Sequence, residues 1–122
     1  MRVVTDTQTT TTPNGQMTTL AAPSVGSREL SLWRVRMAAG ARGPLHTIDR
    51  EQVFMPLAGS FTITVAGTAT TVGTGTTAIL PAGAQRQVAV LDGPAEALVC
   101  MPSAGRVTVP DEPASRPLPW AA

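Results

Sequence analysis

Apolar and polar residues take turns along most of this chain with a period of two. Trp33, Val35 and Met37 alternate with Arg34 and Arg36, and Phe61, Ile63 and Val65 alternate with Thr62 and Thr64. Val88 and Val90 alternate with Gln87 and Ala89. A two-residue period puts successive side chains on opposite faces of an extended backbone, so each run predicts a half-buried strand. No stretch keeps a helical period long enough to form a helix. Thr and Val, branched at Cβ, suit pleated strands and disfavour helix. Gly26, Gly40, Gly43, Gly59, Gly67, Gly73, Gly75, Gly83, Gly93 and Gly105 punctuate the runs. Many short strands at this spacing predict an all-β sandwich or barrel.

The alternation places strands at residues 17–21, 29–37, 44–48, 52–58, 60–66, 68–72, 76–80, 86–91, 95–101 and 106–109. A length of 122 residues leaves room for one core. The chain therefore divides into a Thr-rich segment 1–15, a barrel over 16–109 and a Pro-rich tail 110–122. The first segment reads as a flexible tail, or as an arm that pairs with a neighbouring subunit, because alone it buries too little apolar surface to offset its ordering entropy. Prolines at 110, 113, 117 and 119 keep the last segment out of any central strand, with Trp120 available to pin it to the barrel.

Charge narrows the function classes. The nine basic residues, all Arg, nearly balance eight acids for a net charge of +1. That leaves no basic stripe for a phosphate backbone, so no nucleic-acid partner is expected. No apolar run approaches the roughly 18 residues that cross a bilayer, and the N-terminus lacks a signal-peptide pattern. A cytoplasmic protein without a membrane partner is expected. Cys100 is alone, so no internal disulfide forms, and its apolar strand setting predicts an inert buried thiol. Neither a Gly-x-Ser-x-Gly elbow nor a phosphate loop is present.

Two stretches carry the most specific signal. One runs from Gly40 and Gly43 through His46, Ile48, Glu51 and Gln52 to Gly59; the other runs from Gly75 through Pro81 and Gly83 to Arg86. In the second, Pro81 fixes φ and Gly83 accepts a positive φ, which makes a sharp corner between strands. Together they resemble the two motifs of the cupin superfamily, whose fold is a small antiparallel β-barrel of jelly-roll, or double-stranded β-helix, type. The first cupin motif has Gly, His-x-His, a Glu four places on and a closing Gly. Here the second His position holds Ile48 and the Glu position holds Gln52, beside Glu51. The second motif has Gly, five residues, Pro-x-Gly, two residues and His; here the His position holds Arg86. The resemblance implies that His46, Ile48, Gln52 and Arg86 point into the barrel. It also implies pairing into a homodimer through N-terminal strands.

This set is poor in metal donors. Ile48 cannot coordinate and a guanidinium has no lone pair to give. His46 and Gln52, with Glu51 after a register slip, are the only route to a metal site, and no metal cofactor is expected. Arg86 is instead a fixed cation suited to carboxylate or phosphate, facing Glu51, Asp49 or an anionic ligand. His46 titrates near neutrality and is the candidate acid or base. Arg86 and His46 are thus the candidate catalytic pair, and Gln52 and Glu51 ligand-binding residues. Met37, Phe54 and Met101 are the candidate walls for a small-molecule ligand.

Three readings stay open. The resemblance implies enzymes of small metabolites, and without a metal the surviving chemistry is proton transfer: isomerisation, epimerisation or cyclisation. A non-catalytic module that binds or senses a metabolite needs no titratable group. An atypical metal-binding cupin would use His46, Glu51 and Gln52.

Overall fold

The computed structural model describes all 122 residues. Twelve strands follow in chain order: β1 (Gln8–Thr12), β2 (Gly15–Ala21), β3 (Leu30–Met37), β4 (His46–Ile48), β5 (Gln52–Ala58) and β6 (Ser60–Val65). The rest are β7 (Thr68–Gly73), β8 (Ala78–Leu80), β9 (Gln85–Ala89), β10 (Ala95–Pro102), β11 (Arg106–Thr108) and β12 (Arg116–Pro117). One 3₁₀ turn, Pro23–Val25, is the only helical element. The strands make two six-stranded antiparallel sheets, β1-β2-β3-β10-β5-β8 and β12-β11-β4-β9-β6-β7. The hydrogen-bond ladder is not continuous around the molecule. The barrel is two curved sheets holding one core, as a jelly roll is built.

Alternation decides which side chains enter that core. In β3, Trp33, Val35 and Met37 are buried while Arg36 faces water. In β10, Ala95, Ala97, Val99 and Met101 are buried. Phe61 and Ile63 of β6, Ile48 of β4 and Val107 of β11 meet them from the opposite sheet in one cluster. Phe54 and Phe61 bridge the sheets edge to face with ring centres 4.9 Å apart, a preferred aromatic geometry. Pro56 lies in β5 without breaking the sheet. Strand β8 pairs only as far as Phe54, so β5 is an edge at Pro56 and the missing N–H is not needed there.

The N-terminal end departs from the sequence-based expectation, and the C-terminal end, kept to a sheet edge, packs more deeply than a pinned tail. Residues 1–15 are not simply a tail: β1 pairs with β2 of its own chain through all five of its residues, closed by the turn at Pro13 and Asn14. Within 110–122, β12 joins the edge of the second sheet beside β11. Leu118 and Ala121 are buried in the core. The Thr19 hydroxyl donates to the Trp120 carbonyl at 2.8 Å and the Ser31 hydroxyl to the Ala121 carbonyl at 2.6 Å. The last residues are a strap across the open end of the sandwich.

Candidate functional site

The site is built around the corner that Pro81 and Gly83 impose. Gly83 has φ near +79° and its amide donates to the Ile48 carbonyl at 2.8 Å, which ties the corner to β4. Strand β9 then starts beside β4, with His46 directly opposite Arg86. The same corner turns two carbonyls toward the Arg86 guanidinium. Nε donates to the Ala84 carbonyl at 2.9 Å and an Nη donates to the Pro81 carbonyl. The other Nη donates to Oε1 of Gln52 at 2.9 Å. Gln52 belongs to the other sheet, so this bond crosses the sandwich. Its amide nitrogen contacts Sδ of Met101 at 3.6 Å.

Arg86 has 0% of its surface exposed and no acid within ion-pair distance. Burial pushes its pKa down, yet a guanidinium remains charged at any accessible pH. The acids named as its partners lie elsewhere. Asp49 accepts from the Arg106 amide at 2.7 Å and pairs with Arg50 at 3.7 Å. Glu51 is exposed and in no ion pair, because the pleat that sends Gln52 inward sends its neighbour out.

His46 is half-buried. Its Nδ1 lies 2.9 Å from the Pro44 carbonyl. A carbonyl only accepts, so Nδ1 carries the proton and Nε2 keeps its lone pair. Burial depresses the imidazole pKa below its usual value; the Pro44 bond opposes that shift and the Arg86 charge adds to it. The ring is therefore a neutral base at physiological pH.

Above this floor is a cavity of about 440 Å³. His46, Ile48, Gln52 and Arg86 all line it, as the motif register implies. Met37 and Phe54 are in its walls, with Met17, Trp33, Val35 and Val99. Met101 is buried but lies outside the lining, touching the site through Gln52. Glu51 is outside it too. Several lining residues come from the chain ends and were not anticipated: Thr10, Thr12 and Asn14 from the first hairpin, and Arg116, Leu118 and Trp120 from the strap. The Pro13-Asn14 pair was the available signal for that hairpin, since both residue types favour turn positions.

The family model described as "Cupin domain" matches residues 33–101, more than half of the chain. The chain belongs to the cupin family. No curated protein matches it. Among solved structures it is similar to the polyketide cyclase RemF from Streptomyces resistomycificus, with 20% identity and a TM-score of 0.73, over 97% of this chain and 85% of that one. It is similar to an RmlC-like cupin from Shewanella frigidimarina, at 16% identity and TM-score 0.69, over 79% and 83% of the two chains. It is also similar to Bacillus subtilis oxalate decarboxylase, a protein with Mn(II) centres, at 22% identity and TM-score 0.70. That match covers 80% of this chain but spans only about a quarter of the decarboxylase, 27% of its length. These likenesses establish the cupin fold.

The residues at this cupin's motif positions do not fit a metal. No three His, Cys, Asp or Glu side chains converge anywhere in the molecule. The position of the motif's last histidine is filled by a guanidinium, which offers only N–H groups and repels a cation.

Proposed function

We propose that this cupin binds a small metabolite with an apolar body and moves a proton on it, with His46 as the base and Arg86 as the fixed positive charge. The observation that carries the reading is the tautomer of His46: Nδ1–H is held by Pro44, which leaves an unprotonated Nε2 on a ring that lines a cavity. A base poised below neutrality is available at physiological pH. A proton drawn from a carbon beside a carbonyl leaves charge on the oxygen, and the Arg86 cation lowers the energy of that charge between largely apolar walls.

His46 is the only titratable group near neutrality in the lining. One base that takes and returns a proton suits isomerisation or cyclisation better than a two-base epimerisation. Cyclisation is the activity in the name of RemF, whose fold this chain shares over nearly its whole length, and it is the first of the two to test.

The test is proton exchange. Small enolisable ketones that raise the melting temperature are incubated with the protein in D2O, and deuterium uptake at the carbon beside the carbonyl is followed by NMR. Uptake is expected with the wild type and absent with His46→Ala, which still binds. Uptake that persists in a folded His46→Ala protein removes this reading. Stabilisation without uptake instead identifies a non-catalytic binding cupin, with stability rising as RT ln(1+[L]/Kd).

We also infer a homodimer in the cytoplasm. Support comes from the outer face of the first sheet, where Ile79, Val53 and Cys100 lie in one cross-strand row and Met55 and Leu98 in the next. Ile79 is 66% exposed. Contiguous apolar surface of this kind marks an interaction site, and a two-fold axis lets one patch cover its own copy. Arg34 and Arg36 flank Glu96 at the patch edge and supply charges that such an axis can exchange. A free, half-buried Cys100 on this face suits a reducing compartment.

A further inference from the structure

The charge of the cavity has one sign. Arg86, Arg116 and His46 line it, and neither an Asp nor a Glu does. Arg116 has a carboxylate of its own, Glu112 at 3.3 Å, on the exposed edge. Arg86 has none, and its three acceptors are neutral oxygens. A guanidinium presents five N–H donors, so part of its donor capacity is unused. A second donor in the lining is also idle: the buried indole N–H of Trp120 finds no acceptor in the protein.

Removing a guanidinium from water without a counter-ion carries a heavy desolvation penalty. Carbonyl dipoles offset part of it and leave the net charge in place. The walls that surround this charge are apolar and aromatic, notably Met17, Trp33, Phe54 and Trp120. An occupant matched to both features has a flat apolar body and one negative charge.

We propose that the cavity takes a monoanion: an aromatic or polycyclic acid whose carboxylate or acidic enol oxygen is held over the Arg86 floor. This rests on the cavity reading above and adds the ligand's charge and orientation to it. The buried charge, rather than the solvated Arg116 at the rim, sets the preference. A rim guanidinium already paired and open to water contributes little.

The test compares 2-naphthoate with 2-naphthamide, which share a ring system and differ in charge. Full-length protein is titrated with each at about pH 8, where the imidazole is neutral. Binding is read by calorimetry and by quenching of Trp33 and Trp120, the two tryptophans of the chain, both in the lining. The carboxylate is expected to bind about tenfold tighter than the amide or better. The preference should vanish in Arg86→Met and survive in Arg116→Gln. Equal or tighter binding of the amide overturns the anion proposal and leaves the cavity reading standing. Loss of the preference in Arg116→Gln overturns its assignment to Arg86, and this arm decides the question even where Arg86→Met fails to fold. If neither compound binds, both the proposal and the cavity reading fall.

Discussion

Arg86 takes a full charge into the core and meets only dipoles there. Its bond to Gln52 is consequently worth more than an ordinary side-chain pair, since losing the acceptor strands a buried cation. Gln52→Leu is expected to destabilise the fold by roughly 3 kcal/mol in denaturant titration. Adding Arg86→Met should restore part of that loss, because an apolar pair of similar volume replaces the half-made one. A double variant less stable than Gln52→Leu alone would show that Arg86 is held by its turn carbonyls and not through Gln52. His46 makes a pH prediction of definite sign. Its folded pKa lies below the unfolded value of 6.5, so the unfolded chain binds more protons in that window. Its contribution is fully present above pH 6.5 and is lost as pH falls toward the folded pKa. The melting temperature of the wild type should therefore fall more steeply below pH 6.5 than that of His46→Gln, and parallel curves would contradict the burial argument. That Arg86 and His46 share a floor was legible in the spacing of Gly75, Pro81 and Gly83. The partners of Arg86 were not. Asp49 and Glu51 are close along the chain, but charge and proximity in sequence say nothing of the pleat that turns Glu51 outward or of the corner that aims carbonyls inward.

Turns set how the elements meet, and two glycines separate two kinds of constraint. Gly83 has φ near +79° with open space where a Cβ would go, so Gly83→Ala introduces only left-handed strain, about 1–2 kcal/mol. Gly59, with φ near +68°, would in addition bring a Cβ within 2.6 Å of the Pro94 carbonyl, which is backbone and cannot swing aside. Gly59→Ala is expected to lose clearly more stability than Gly83→Ala in the same denaturant series. Similar losses would mean that the 59–95 contact is loose. The long internal strands β3, β6 and β10 were legible because each carries an apolar face with period two, and the shorter ones between them were bracketed by Gly and Pro. The outermost strands carry no such face. Strand β1 is almost all Thr, polar on both sides, and β12 has two residues, shorter than any window in which a period shows. Both are defined by pairing partners distant in sequence.

At the scale of the molecule, the sandwich has one apolar interior and one apolar exterior face. The interior holds the cavity proposed to take the ligand, and the exterior row of Ile79, Val53 and Cys100 is the face proposed to meet a second copy. Ile79→Glu should convert a dimer to a monomer in light scattering after size exclusion, with little change in the circular dichroism. A wild type that is monomeric at high concentration would dismiss the pairing. The likeness to cyclase and decarboxylase structures reaches the fold and stops there, since one barrel hosts many chemistries. What distinguishes this chain is carried by a few side chains at the floor and by the two ends that wall the opening.

Those ends are joined across nearly the full length of the polypeptide, as Thr19 reaches Trp120 across 101 positions. A chain emerging from the ribosome at about 5–20 residues per second can pair its early hairpins long before that contact is possible. The wall formed by Arg116, Leu118 and Trp120 can be added only after the framework strands have emerged, and a nascent chain halted before Trp120 would have that framework with an unfinished cavity.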